Sequence, residues 1–147
     1  MKHNGKEYVE QEVHDFEELR EIITILRSEN GCKWDKAQTH ESLKVCLTDE
    51  CEEVLQAIDK KDDENLCEEL GDVLLQVLLH SEIAKERGAF TLDDVIQTLS
   101  EKMIRRHPHV FGDVIVNTPE ESLALWKQIK VKEKAAKAEK AARAEKK

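Results

Sequence analysis

The chain has 147 residues, 37% of them charged, and a net charge of −9, which suits one domain with a core of four or five helices. That acidity argues against a nucleic-acid partner, which calls for a basic face, and 5 Gly, 2 Pro and no sustained apolar alternation argue against a sheet protein. No apolar stretch is long enough to span a bilayer and no secretory signal stands out, so a cytoplasmic location without membrane contact is expected.

Residues 1–14 form a polar segment, and the first dozen are expected to be loosely ordered. Phe16, Leu19, Ile22, Ile23 and Leu26 have the spacing of an amphipathic helix that stops before Asn30-Gly31. A loop from Gly31 to Thr39 follows and carries Trp34 and Asp35. Two helices are then expected over about Ser42 to Ile58 and Glu64 to Arg87, separated by the polar run Asp59 to Asp63. Gly88 ends the second of them. Thr91 and Asp94 open a helix carrying Val95, Ile96, Leu99 and Met103, which His107-Pro108-His109 breaks. The two histidines read as helix-terminating and packing residues, because no third ligand accompanies them. Thr118-Pro119-Glu120-Glu121 has the order of an N-cap, a first-turn proline and a third-position glutamate, and so opens a last helix. The segment 134–147 is rich in Lys, Ala and Glu without an apolar stripe, and a frayed helical tail is expected there. From Lys127 onward nine Lys or Arg face three Glu, so the rest of the chain is strongly acidic. Cys32, Cys46, Cys51 and Cys67 lack C-x-x-C spacing and read as free thiols of a reducing compartment.

The most informative feature is the placement of two acidic pairs, Glu50/Glu53 and Glu69/Asp72. Each has i,i+3 spacing, which puts both carboxylates on one helix face. Residue 61 is the midpoint of Glu53 with Glu69 and of Glu50 with Asp72. Antiparallel pairing of the two helices therefore sets four carboxylates at one height. An isolated acidic pair is ordinarily a solvated surface feature, but these two lie where burial is expected. Leu43, Leu47, Glu50, Val54 and Ile58 form one stripe, so Glu50 occupies a core position. The second helix is apolar nearly all round from Val73 to Leu79, and its only polar stripe is Glu69, Asp72, Gln76 and His80. Adjacent buried acids are opposed by desolvation and mutual repulsion unless a cation compensates them. An oxygen-only ligand set selects Mg²⁺, or Mn²⁺, over zinc. Gln76 and His80 could orient such ligands, although a satisfied core histidine is the commoner case.

Two basic sets complete the pattern. Lys102 and Arg106 are i,i+4 on the fourth helix, as are Trp126 and Lys130 on the fifth. The cations could bind the far phosphates of a metal-bound substrate and the indole could stack on a base or ribose, the alternative being ordinary surface cations and a packing Trp126. Trp34 and Asp35 could close over the base or sugar, the alternative being a structural tryptophan that anchors the loop. The amount of apolar helix surface exceeds what one such chain covers and favours a homodimer formed through the bundle.

These residues carry a resemblance. Asn30 to Thr39 (NGCKWDKAQT), Asp49 to Val54 (DECEEV), Glu68 to Asp72 (EELGD) and Arg105 to Phe111 (RRHPHVF) resemble the MazG nucleoside triphosphate pyrophosphohydrolases, over about residues 16–133. The resemblance implies an all-α fold, usually dimeric, that uses Mg²⁺ to convert nucleoside triphosphates to monophosphate and pyrophosphate by water attack at the α-phosphorus. Carried over by position, it implies Glu50, Glu53, Glu69 and Asp72 as metal ligands and catalytic residues, and Lys102, Arg106, Trp126 and Lys130 as contacts to triphosphate and nucleoside. The first acid of the family's E-E-x-x-E pattern is Asp49 here, a shorter carboxylate whose reach as a base or outer partner would differ. The domain is thus read as residues 15–133, flanked by the polar segment and the tail. The alternative reading is a non-catalytic helical module that binds a nucleotide or a partner through a degenerate site.

Overall fold

The computed structural model describes residues 2–146; Met1 and Lys147 lie outside the described residues. The fold is almost wholly helical, as expected, with seven helices among the described residues and one small hairpin. They form two compact units, one through Leu92 and one from Asp93 onward.

The first unit begins with strands β1 (Lys2–His3) and β2 (Lys6–Glu7), paired antiparallel with Lys2 opposite Glu7 and His3 opposite Lys6. Residues 2–7 of the amino-terminal segment thus form a hairpin, and no helix or strand follows before Phe16. Asn4 and Gly5 take positive φ angles of 51° and 80° at the turn. Lys6 then pairs with Glu18 at 2.7 Å, and the Tyr8 hydroxyl donates to Glu21 at 3.0 Å, tying the hairpin to helix α1 (Phe16–Leu26). Asp15 caps α1 by accepting from the Glu18 amide at 2.8 Å.

The expected loop after Gly31 contains a short helix, α2 (Lys33–Ala37). Helices α3 (Leu43–Lys60) and α4 (Asp63–Glu86) follow as an antiparallel pair with the most extensive packing in the chain. Only Lys61 and Asp62 separate them. Lys61 adopts the left-handed conformation at φ 53°, which turns the chain, while the Asp62 side chain accepts from the Asn65 amide at 3.1 Å and starts α4.

The core of this unit lies at the carboxyl-terminal half of α4, where Leu78, Leu79 and Ile83 meet Ile23 of α1 and Leu43 of α3. Leu43 and Leu79 are fully enclosed, each contributing roughly 1.5–3 kcal/mol by burial. The covered stripe of α3 runs through Leu43, Cys46, Glu50, Val54 and Ala57. Leu47 and Ile58, expected in that stripe, are exposed instead, because in the single chain only α4 packs extensively against α3. Leu70, Leu74 and Val77 of α4 are likewise uncovered, so the helix that reads as apolar all round is buried on one side only.

The second unit holds most of α5 (Leu92–Arg106), then α6 (Pro108–Phe111) and α7 (Pro119–Glu145). Both prolines of the chain stand in the first turn of a helix, where the missing amide hydrogen costs nothing. Thr118 caps α7 by accepting from the Glu121 amide at 3.2 Å, as its sequence order predicts. In the tail, where a helical extension is expected, α7 continues without a break to Glu145 and is almost wholly exposed.

Gly31 marks a close approach of backbone to backbone: a Cβ there would overlap the carbonyl oxygens of Ile25 and Leu26. Gly31→Ala is expected to destabilise the fold by roughly 1–3 kcal/mol, measured by urea denaturation; unchanged stability would show that the end of α1 relaxes freely.

Candidate metal centre

The two-residue turn sets the register of α3 against α4 and with it the height of the acidic residues. Glu50, Glu69 and Asp72 each bring a carboxylate oxygen within 4.8 Å of the others. Glu53, exposed at the edge of the group, shares a side-chain hydrogen bond with Glu69. Asp49 is also exposed and acts on the group only through its charge, as the weakest of the influences on Glu50.

Glu69 is the buried member, with 8% of its surface exposed, and its Oε2 has no hydrogen-bond partner. A buried carboxylate oxygen without a donor is costly, and among the described residues no lysine or arginine charge figures in the shifts of Glu50 or Glu69. The Glu69 carboxyl is pushed up to about 7, first by burial, then by the hydrogen bond to Glu53 and the charges of Glu53, Asp72 and Glu50. Burial, followed by the charges of Asp72, Glu53 and Asp49, also raises Glu50. A carboxyl raised by burial and by the charges of its acidic neighbours suits a divalent cation, which replaces the proton and relieves the repulsion. Glu50, Glu69 and Asp72 could hold one through oxygen alone.

Further along the polar stripe of α4, Gln76 is buried with Oε1 unpartnered. His80 stacks on His40 at 5.0 Å between ring centres, with the two Nδ1 atoms 2.7 Å apart, and its buried Nε2 has no partner. One of the two Nδ1 atoms must carry the hydrogen. Burial, then the charge of His40, lowers the His80 pKa and favours its neutral form. His40 has no apolar periodicity around it and escaped the sequence reading.

So did Arg27, only 4% exposed. It donates from Nε and Nη2 to the two Glu86 oxygens at 3.0 and 2.9 Å, and from Nη1 to the carbonyls of Asp35 and Gln38. Arg27 therefore fastens α2, with Trp34 and Asp35, to α1 and α4. Its signal in the sequence is its spacing from Ile23, i,i+4 on the covered face of α1. Trp34 itself is 58% exposed on α2, and neither it nor Asp35 belongs to the carboxylate cluster.

In the second unit the structure gathers three of the four expected substrate residues. The Arg106 guanidinium lies 5.1 Å from the centre of the Trp126 ring and the Lys130 Nζ 4.9 Å from it. Arg106 also donates from Nε and Nη2 to Glu133 Oε2 at 3.1 and 2.8 Å, and Arg105 pairs with the other Glu133 oxygen at 2.5 Å. Arg106, then Arg105, holds the Glu133 carboxyl down at about 2. Lys102 stands one turn before Arg106 on α5, half-buried. All four cysteines are free thiols, and no helix of the described residues is long and apolar enough to cross a membrane.

Comparison with known proteins agrees with this geometry. Residues 38–111, which hold all of the acidic cluster, match the MazG nucleotide pyrophosphohydrolase domain. The nucleoside triphosphate pyrophosphohydrolase/pyrophosphatase MazG of Thermotoga maritima is 60% identical over 119 residues, covering 81% of this chain and 45% of that protein. The nucleoside triphosphate pyrophosphohydrolase of Escherichia coli K12 is 42% identical over 128 residues, covering 86% of this chain and 49% of that one. The chain thus spans about half the length of these curated relatives. A crystal structure of a MazG-related protein from Thermotoga maritima superposes with a TM-score of 0.64 at 37% identity, covering 78% of this chain and 97% of the other. With half of its length matched and the carboxylates gathered as described, the chain belongs to the MazG nucleotide pyrophosphohydrolase domain family.

Proposed function

We propose that this chain hydrolyses nucleoside triphosphates to nucleoside monophosphate and pyrophosphate, with Mg²⁺ held by Glu50, Glu53, Glu69 and Asp72 and with Mn²⁺ as a substitute. The observation that carries the reading is Glu69, buried, with one oxygen unpartnered beside Glu50 and Asp72. Water attacks the α-phosphorus; the new phosphorus–oxygen bond forms as the bond to the bridging oxygen of pyrophosphate breaks. When bound, the cation supplies neutralisation of phosphate charge and activation of water. Asp49, exposed and next to Glu50 in sequence, serves as the base that accepts a proton from water or as an outer partner of the ligands, with a reach limited by its shorter stem. Lys102, Arg106 and Lys130 bind the phosphates and stabilise charge on the departing pyrophosphate. Trp34 and Asp35, held by Arg27, contact the nucleoside. The His40–His80 pair and Gln76 support the α4 face that presents the acids.

A panel of ribo- and deoxynucleoside triphosphates assayed for pyrophosphate release tests the reaction. Glu50→Gln and Glu53→Gln are each expected to lower turnover by on the order of 100-fold or more, since even outer partners of metal ligands are worth 10–100-fold. Release of orthophosphate in place of pyrophosphate, or undiminished turnover in both variants, would refute the assignment.

The raised Glu69 carboxyl sets a pH dependence. Its ordinary value is 4.5 and its value in the metal-free fold is about 7, so between these the folded chain holds a proton that the unfolded chain releases. Stability of the metal-free protein is therefore expected to fall as pH rises from about 4.5 to about 7 on this account. Mg²⁺ affinity, which requires the ionised form, is expected to rise across pH 7 and then level off. Calorimetric titration at pH 6, 7 and 8 measures it, and a flat affinity would contradict the placement of Glu69 among the ligands.

The uncovered residues Leu70, Leu74 and Val77 on α4, with Leu47, Leu55 and Ile58 on α3, form the face on which we place a second copy of the chain. An exposed apolar face of this extent is unusual for a monomer. Light scattering is expected to report twice the chain mass, and Leu74→Glu to halve it; a monomeric parent chain would refute the dimer.

A further inference from the structure

We propose that Trp126 and Glu133 are positioning residues that aim Arg106 and Lys130 at the substrate phosphates, and that the Trp126 indole does not stack on the base. The inference rests on the phosphate-binding reading of Arg106 and Lys130 and goes further, because it assigns Glu133 a role and moves Trp126 from the nucleoside to the phosphates.

The Trp126 ring is already in use, with the Arg106 guanidinium at 5.1 Å and the Lys130 ammonium at 4.9 Å from its centre. A cation over an indole is a favourable contact, so a base that stacked on the same face would have to displace it. Glu133 grips Arg106 from another direction, accepting from Nε and Nη2 on a single oxygen. Two hydrogen bonds and an aromatic face together hold the guanidinium in one orientation. The side chains of Arg106 and Glu133 are only 13% and 16% exposed, so the pair is shielded from the screening that weakens surface ion pairs. A guanidinium has five N–H donors, and this arrangement consumes two, leaving both Nη1 hydrogens and one on Nη2 for an anion.

The charge balance supports the same assignment. Arg105, Arg106 and Lys130 against Glu133 leave an excess of two positive charges, so the cluster remains attractive to a phosphate chain while the carboxylate orders it. Ordering the cation in advance spares substrate binding the entropy of immobilising a long side chain.

The experiment is calorimetric binding of inorganic pyrophosphate in the presence of Mg²⁺, alongside KM and kcat for four nucleoside triphosphates, on the full chain and its variants. Pyrophosphate has phosphates and no base, so it separates the two roles of Trp126. Trp126→Leu is expected to weaken pyrophosphate binding about tenfold, corresponding to 1.4 kcal/mol, and to raise KM by a similar factor for every base with kcat little changed. Trp126→Phe keeps an aromatic face and is expected to restore most of the loss, which also covers the case in which the leucine variant does not fold. Glu133→Gln provides a test of sign. Removing a negative charge from an anion site should strengthen pyrophosphate binding by simple electrostatics, whereas loss of positioning weakens it, and weakening is expected. Unchanged pyrophosphate binding in Trp126→Leu with a base-dependent rise in KM would overturn the proposal in favour of stacking. Tighter binding in Glu133→Gln would equally overturn it. Arg106→Ala and Lys130→Ala isolate the underlying reading: if neither weakens pyrophosphate binding, the phosphate site itself fails, whereas if both do and the Trp126 and Glu133 variants do not, only the positioning role fails.

Discussion

Antiparallel pairing of α3 and α4 across a two-residue turn is the constraint on which the candidate site depends. Lys61 in the left-handed conformation and Asp62 as the next N-cap leave no slack between the helices, so the rows of side chains meet in one register. In that register carboxylates of Glu50, Glu69 and Asp72 come within reach of one another. A slip by one helical turn would separate them and would also remove Leu43 from Leu78 and Leu79. Apolar packing at one end of the hairpin thereby holds acids together at the other, against their own repulsion.

The two ends of α4 differ in kind. Its carboxyl-terminal half carries Leu78, Leu79, Ile83 and Ala84, buried against α1 and α3, and supplies the apolar burial that stabilises the unit. Its amino-terminal half carries Glu69 and Asp72 on one side and exposed Leu70 and Leu74 on the other. Neither feature favours the isolated fold: one asks for a cation and the other for a covering surface. Sites that trade stability for chemistry are commonly supported from rigid neighbouring structure in this way.

Charged groups elsewhere in the chain are held by geometry too. Arg27 spends four hydrogen bonds on Glu86 and on two carbonyls of the α2 segment, converting what would be a loose loop into a fixed element. Glu133 does for Arg105 and Arg106 what Glu86 does for Arg27, at the junction of α5 with α7. In both places a carboxylate orients a guanidinium, and the fork of N–H donors gives the contact its direction.

Features that depend on neighbours along the chain were legible in the sequence. Helical periodicity located α1, α3, α4 and α5 to within a few residues, the Thr118-Pro119-Glu120-Glu121 order located the start of α7, and the mirror spacing of two acidic pairs about residue 61 foretold the meeting of Glu50 with Glu69 and Asp72. Each follows from the 3.6-residue repeat and from capping chemistry, both local. What only the tertiary structure decided depends on residues far apart in sequence. Leu47 and Ile58 fit the apolar stripe but are exposed, because coverage requires a partner surface that a stripe does not specify. Arg27, His40 and Glu133 look like ordinary polar residues until Glu86, His80 and Arg106 come beside them. The indole of Trp126 is free to stack in the sequence and flanked by two cations in the fold, since ring contacts are set by the packing of side chains between helices rather than by any repeat along one of them.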